Sequence, residues 1–552
     1  MFSFWQKPKR DATHVTPIVE PKTERKVDAD SPIIIPILSI HPDFDYKKLN
    51  DNGKVYSDDV INAIKNLLNK QKEGGYPMRY LLKELGKEYK GIDYAVIRVT
   101  VKEQKKSQVK YFAVCMEVAQ GKTGVFKIIQ DLDTGKFHGL KSNLVIKESK
   151  ESGPNSFAKD TTKAEYAIYK AISKALNNNN PLIQAAMTPK HYKDKERKTK
   201  KPEKVQMIMD LVNGVEAFSF VSNEEKAKPY HSIHKKMHPA RLLDLAIIGV
   251  TDLISLHDAG FLHGDIRDTN WMIDIAKNLA KLIDFGFSKK MGKSKEIRSD
   301  MFLGTAEFLA PELIEEFLDR DTLVYNQKTD IYALGITLQL VLGFPYLEVE
   351  RNKEHKINWE WGKFRYLNEP KQYHTQLSEQ KELAAILDKM TSRVAKNRLD
   401  AKTTLKELNT FKQKFLNITP PLEIGTVNIV EFNSYSESEK KALLEQLKDC
   451  HEIVFVGNIE SWRQKNGIYL PLQDHAKYFS ENGFIVREGC IQNPTSKVLQ
   501  RYFQDLVDKD SIPIHATHFN YTDSKVNKVE IFGTKKAEEK EEPAVLASTP
   551  KL

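Results

Sequence analysis

Residues 257–286 read HDAGFLHGDIRDTNWMIDIAKNLAKLIDFG. Asp265 and Asn270 stand five positions apart on one expected loop, and Asp284 opens an Asp-Phe-Gly triplet fourteen positions further on. Between them, WMIDIAKNLAKLID predicts two short strands joined by a polar turn at Lys277 and Asn278, a hairpin that brings Asn270 and Asp284 together. Moving a phosphoryl group off a nucleotide asks little covalent chemistry of a protein. It asks for a carboxylate beside the accepting hydroxyl, and for an amide and a second carboxylate that hold magnesium against the phosphates. Asp265, Asn270 and Asp284 suit those roles in that order. Any one of them alone would pass for a polar turn residue; the ordered set points to chemistry.

The stretch resembles the catalytic-loop and DFG signatures of eukaryotic-like serine/threonine protein kinases. That resemblance implies an α+β, two-lobed fold, with an N-lobe of antiparallel sheet plus helix and a mostly helical C-lobe. It also implies ATP and Mg2+ (or Mn2+) as cofactors. Arg267 takes the place of the usual lysine and steadies the transferring phosphate. Gly264 stands where the family keeps an arginine that gathers a phosphate on the activation segment. Its absence argues against that switch, so phosphates on Ser294 or Ser299 are expected to be dispensable. Order must then come from the N-terminal helices, a C-terminal domain or a bound protein.

HGD followed by asparagine is also similar to small-molecule phosphotransferases such as the aminoglycoside kinases. Residues 304–312, GTAEFLAPE, resemble instead the substrate-facing segment that protein kinases have and those enzymes lack. That resemblance implies that Thr305 bridges to the catalytic aspartate, that Glu312 pairs with Arg398 of AKNRLD, and that Asp330 of TDIYALG braces the catalytic loop from beneath. A pseudokinase scaffold is the remaining alternative, and retention of Asp265, Asn270 and Asp284 argues against it.

Upstream, YAVIRVTV, YFAVCMEVA and VFKIIQD predict strands, with Gly121 and Gly124 in a turn that resembles the phosphate-covering flap. Ala119 replaces the first family glycine. Two lysines compete for the nucleotide phosphates. Lys141 has the family spacing from Gly124, whereas Lys147 ends LVIK, which has the stronger strand character, resembles V-A-I-K, and puts Val145 rather than Gly139 against adenine. The composition of the run favours Lys147, with Glu165 on the following helix as its partner. MIMDLVNGVEAF resembles the hinge, near 210–214: Met209 limits the adenine pocket, Asp210 and Val212 offer backbone groups, and Glu216 a carboxylate for ribose.

With 552 residues, the chain has room for several domains. The expected division is an N-terminal extension over 1–92, with a disordered start and then helices, and a kinase domain over 93–416. A small α/β domain of unknown role follows over 417–534, and a disordered acidic tail over 535–552. The patch from Pro32 to Ile40 is expected to dock extended on the kinase. Cys115, Cys450 and Cys490 fit neither a disulfide framework nor a metal site, which points to a reducing compartment. No run of about 18 apolar residues suggests a transmembrane segment, and the start, MFSFWQKPKRD, lacks the apolar core of a signal peptide. A soluble protein is expected. A formal charge of +10 over this length is too dilute to imply a specific nucleic-acid partner. The expected partners are a protein substrate and a protein docking on the N-terminal extension or the C-terminal domain. Glutamates before a small, partly apolar end, KKAEEKEEPAVLASTPKL, resemble the export signal of type IVB (Dot/Icm) secreted effectors, which include eukaryotic-like kinases. That resemblance implies secretion into a host cytoplasm and host proteins as substrates.

Overall fold

The computed structural model describes residues 32–35, 50–51, 54–55, 96–103, 106–120, 124–131, 137–143, 156–176, 186–187, 206–212, 214–222, 228–299, 303–314, 322–344, 376–459, 470–510, 512–520 and 525–532. The expected helices of the N-terminal extension, Gly121, Lys147 and the 535–552 tail lie outside the described residues.

After a short strand β1 (Ile33–Ile35) come β2 (Val96–Glu103), β3 (Lys106–Gln120), β4 (Gly124–Asp131), β5 (Phe137–Asn143), helix α1 (Ser156–Ala175), β6 (Ala186–Met187) and β7 (Gln206–Asp210). Strands β2 to β7 form one antiparallel sheet in the order β2-β3-β4-β5-β7-β6. Alternation along the strands divides the side chains between two faces. Phe112, Ile129, Leu140 and Ile208 pack on one face. Phe126 and Met209 pack on the other, with Tyr169 and Ile172 of α1.

Of the two competing lysines, Lys141 lies on a described strand, whereas Lys147 lies outside the described residues. The strand between β4 and β7 is β5, which ends at Asn143; within it Lys141 pairs with Phe126 on one side and Met207 on the other. FHGLKSN has little intrinsic strand character, but two flanking ladders outweigh local propensity. Gly139 is part of the fit, because a Cβ there would run into the Phe126 ring.

The second lobe begins with β8 (Val215–Glu216), α2 (Lys228–Lys236) and α3 (Pro239–Asp258). Proline opens α3, where its missing N–H costs nothing. The helix buries Leu242, Leu243, Leu245, Ala246, Val250 and Leu253 in the main core, so it runs through the lobe rather than over it. Then follow β9 (Phe261–Leu262), β10 (Trp271–Asp274), β11 (Leu279–Leu282), β12 (Lys289–Lys290), β13 (Glu296–Ser299), β14 (Leu323–Asn326), α4 (Gln327–Leu342), α5 (Lys381–Met390) and α6 (Ala401–Leu416). Helix α4 starts at a reciprocal cap between Asn326 and Thr329 and is also deeply buried.

A second six-stranded sheet uses β15 (Leu422–Asn428), β16 (Glu452–Val456), β17 (Ile485–Gln492), β18 (Ile514–Asn520) and β19 (Lys525–Phe532). Its order is β1-β17-β16-β15-β18-β19, with β15 to β18 parallel. Helices α7 (Glu437–Gln446) and α8 (Leu470–Glu481) cover one face, where Ile453 and Phe455 point, and α9 (Ser496–Asp510) the other, with Val454 and Val456. Burial on both faces explains why these strands read as continuous apolar runs. Strand β1 pairs antiparallel with β17, so Ile33–Ile35 add to this sheet. Ile33–Ile35 of the expected patch therefore dock not on the kinase domain but on this sheet, where an unpaired edge offers the backbone partners that an extended apolar segment needs.

The amino ends of these strands rest on the second lobe. Glu452 at the start of β16 accepts from Arg241 Nε of α3 at 2.9 Å and also pairs with Arg487. His238 donates through Nε2 to the Pro420 carbonyl at 2.9 Å, and its ring meets His451 at 5.0 Å. Ile485 enters the main core, and Lys236 lies over the Phe484 ring. Burial alone would raise the Glu452 carboxyl, but Arg487 and Arg241 outweigh it and hold it at about 2. Glu452→Ala strands two buried cations and should cost about 3–5 kcal/mol in urea melts. Because the folded-state value is depressed, the wild-type contribution should be present above about pH 4.5 and be lost as pH falls toward 2, and the variant should lack that acid sensitivity.

Candidate active site

Strand β9 delivers the chain from α3 into the catalytic loop, and Asp330 of α4 fixes it from below. The Asp330 carboxylate accepts from the backbone N–H of His263 at 2.9 Å and of Gly264 at 3.0 Å, and from His257 Nε2 at 3.0 Å. Burial would raise this acid, but the bond and charge of His257, with His263 and the Gly264 amide, bring it below the ordinary range. His263 accepts from the Asp265 amide through Nδ1 and donates from Nε2 to the Ile283 carbonyl at 3.1 Å, tying the catalytic loop to the end of the hairpin. Gly264 has φ +77°, and Gly304 (φ +96°) lies against its carbonyl, where a Cβ would stand 2.6 Å from that oxygen. Only glycines allow these two segments to approach so closely.

Asp265 is the centre of the site. Its Oδ1 accepts from the Thr305 hydroxyl at 2.9 Å, and its Oδ2 and carbonyl accept from Asn270 Nδ2 at 2.9 and 2.8 Å. Arg267 Nη1 donates to the Thr305 oxygen at 2.8 Å, and Nε also meets Thr269. Burial raises the Asp265 carboxyl, against the lowering effect of Thr305, Arg267 and His263. A base tuned upward in this way is better matched to taking a proton near neutrality.

Strands β10 and β11 form the expected hairpin, Trp271 facing Leu282 and Asp274 facing Leu279, with Asn278 at φ 50° in the turn. Asn270 precedes it and Asp284 follows it. Asp284 adopts φ 60°, ψ 75°, a strained conformation for a carboxylate residue, and its Oδ1 accepts from Gly286 N at 3.3 Å. Next to it, Phe285 stacks edge-on against Tyr169 of α1 at 5.2 Å and tilts against His263 at 5.1 Å. This column was not legible in the sequence, because its three rings come from segments far apart in the chain. Glu165 is buried one turn before Tyr169, and Glu165 and Asp284 both act on that phenol, whose pKa is raised first by burial. Met209 and the strand position of Lys141 belong to the sheet that faces this column. Asp210 ends β7, Val212 follows it half-exposed, and Glu216 pairs with Met272 on β10. Burial raises the Glu216 carboxyl, with Asp268 adding to the effect.

On the far side, Arg398 grips Glu312 with two parallel bonds of 2.7 and 2.6 Å. The guanidinium also donates to the carbonyls of Ser392 and Lys328 and lies over Tyr332. A planar fork is required to satisfy a carboxylate and several carbonyls at once.

The chain matches the protein kinase domain family over residues 112–408. It belongs to that family. Among curated relatives, serine/threonine protein kinase ypkA of Aspergillus fumigatus is 26% identical over 274 residues, 48% of this chain and 37% of that protein. Serine/threonine-protein kinase PkaB of Streptomyces coelicolor is 30% identical over 146 residues, 25% of this chain and 31% of its own. A probable serine/threonine-protein kinase of Dictyostelium discoideum is 32% identical over 98 residues, 17% and 14% of the two chains. These matches therefore span well under half the length of each relative. Membership in the family implies ATP and a divalent metal in general terms. No helix among the described residues is long and apolar enough to cross a membrane.

Asp252 lies on α3, beneath the β10–β11 hairpin and close to Lys281 and Leu282 of β11. Burial pushes its carboxyl up to about 8, more than the Leu282 amide and Lys281 offset. The folded state therefore holds a proton there that the unfolded chain releases near pH 4, and stability should fall as pH rises from about 4 to 8. Asp252→Asn should flatten that slope in melts taken across the window.

Proposed function

We propose that the chain is an ATP- and Mg2+-dependent (or Mn2+-dependent) kinase that transfers the γ-phosphoryl group to a serine or threonine hydroxyl of a protein. The observation that carries the reading is the Asp265 carboxylate, held between the Thr305 hydroxyl and the Asn270 amide with Arg267 on the same threonine. In this mechanism the substrate hydroxyl lies beside Asp265, its oxygen forms the new bond to phosphorus, and the bond to the ADP oxygen breaks. The hydroxyl proton passes to Asp265. Arg267 stands beside the incoming phosphoryl oxygens and opposes their charge. Asn270 donates through Nδ2 to Asp265, so its Oδ1 is the atom that suits a cation, and Asp284 supplies the carboxylate across the hairpin. That donor set fits a small hard cation that keeps phosphate oxygens and water as its other ligands. The metal, when bound, neutralises phosphate charge.

For the phosphate lysine we propose Lys141 rather than Lys147. Lys141 lies on β5 between the strand of the flap and the strand of the hinge, two positions from Gly139, which pairs with Met209. Gly124 opens β4 opposite Asn143, at the base of the proposed flap that includes Gly121. Met209, the backbones of Asp210 and Val212, and Glu216 would receive the nucleoside.

Two other readings have less support. A scaffold without catalysis has no use for the bonded set around Asp265, and a small-molecule phosphotransferase has none for the 304–312 platform pinned by Glu312 and Arg398. The relatives' names support serine/threonine specificity. The tail's likeness to type IVB export signals supports a translocated effector acting on host proteins, with the N-terminal extension or the C-terminal domain as the docking part. A reporter fused to the 535–552 tail would test export.

Asp265→Asn should lower transfer from labelled ATP by about 10²–10⁴-fold while nucleotide affinity stays near wild type. Turnover close to normal would refute the assignment. Lys141→Ala should cost about 10²-fold, and Lys147→Ala should stay near wild type in matched assays; the opposite ranking would return the site to Lys147.

A further inference from the structure

The segment between Asp284 and Glu312 has to be held in place if Thr305 is to meet Asp265, and Gly264 offers no cation to hold it through a phosphate. Nor does Gly264 tolerate one easily, since φ +77° strains any side chain and a Cβ there would stand 3.0 Å from the Phe287 carbonyl. The neighbouring Lys289, Lys290 and Arg298 are exposed, and solvated cations of this kind contribute little to ordering a loop.

We propose that a strand clamp inside the chain replaces phosphorylation as the device that keeps this segment in its substrate-ready form, an inference that rests on the kinase reading of the site. Strand β13 pairs antiparallel with β14: Glu296 with Asn326, Ile297 with Tyr325, Arg298 with Val324 and Ser299 with Leu323. Strand β14 runs directly into α4, the core helix that carries Asp330. One rigid helix thus fixes both the catalytic loop and the segment that lies over it.

Alternation puts Ile297, Ser299, Leu323 and Tyr325 on the inner side of the ladder and Glu296 and Arg298 on the outer. Leu323 and Tyr325 are buried with Leu262, Leu303, Leu309 and Leu313, and Ile297 packs against them. The Tyr325 hydroxyl accepts from Leu303 N at 2.7 Å and donates to Leu303 O at 3.3 Å. Burial pushes this phenol up to about 12, so it keeps the proton that it donates. Leu303 lies two residues before Thr305, so the clamp closes both ends of the segment.

The clamp also reverses the usual sign of phosphate control. Ser299 sits opposite buried Leu323 on the inner side of the ladder, so a phosphate there would bring nearly two negative charges against an apolar seam. Ser294 is on the exposed turn and is indifferent.

The test uses the full chain after phosphatase treatment, with transfer to casein, affinity for a fluorescent ATP analogue, and amide exchange as readouts. Wild type should remain active, with residues 296–299 protected. Ile297→Pro removes a backbone donor and the inner side chain, and with Ser299→Asp it should lower transfer at least about tenfold, with exchange at 296–299 raised and nucleotide affinity unchanged. Ser294→Asp should match wild type. Rapid exchange of 296–299 in dephosphorylated wild type, loss of activity on dephosphorylation, or full activity in Ile297→Pro with the ladder open would each overturn the clamp. The exchange readout judges the ladder whether or not casein is phosphorylated, so failure of the kinase reading and failure of the clamp give different results.

Discussion

The buried Asp330 carboxylate is the constraint on which the site depends. Two consecutive backbone N–H groups of the catalytic loop and the His257 ring end on its two oxygens. An anion taken out of water is stable only when such donors replace its hydration, so the loop is held by the acid and the acid by the loop. From this point Asp265 is set beneath Thr305, and Gly264 beneath Gly304.

Helix α3 extends that constraint across the molecule. Its last turn carries His257 to Asp330, and its first turn carries Arg241 to Glu452 of the C-terminal sheet. The second domain is thereby attached to the helix that enters the catalytic loop, with Ile485 in the kinase core and Ala240 of α3 in the core of the α/β domain. Cores shared in both directions make the two parts one packed body. The N-terminal strand β1 closes the arrangement by adding to the edge of the same sheet.

The buried acids fall into two groups, and their partners decide which. Glu452 and Asp330 face cationic or donor groups that outweigh burial, and their carboxyls are driven down. Asp252 and Asp265 have weaker compensation, and burial raises both. For Asp265 that shift suits the base role proposed for it. For Asp252 it is a cost carried by the helix under the hairpin.

Much of the site was legible because short motifs encode it locally. The spacing of Asp265, Asn270 and Asp284 around a hairpin, and the GTAEFLAPE and AKNRLD segments, need only a loop, a turn and a helix start to take shape, and each has its own residue signature. The alternation of strand and helix after Leu416 likewise implied an α/β unit. Its strand order, and the addition of Ile33–Ile35 to its edge, depend on pairing between segments hundreds of residues apart, which no local pattern contains. The same limit applies to the strand that carries Lys141. FHGLKSN has little strand character of its own, yet two neighbouring ladders pair it, with a glycine where the Phe126 ring needed room. The sequence by itself determined which groups are the candidates for the chemistry, because their spacing is set along the backbone. Only the tertiary structure decided the order of the strands, which buried acids are driven up or down, and which strand pairs with residues 296–299, because burial and cross-strand pairing are properties of the assembled chain.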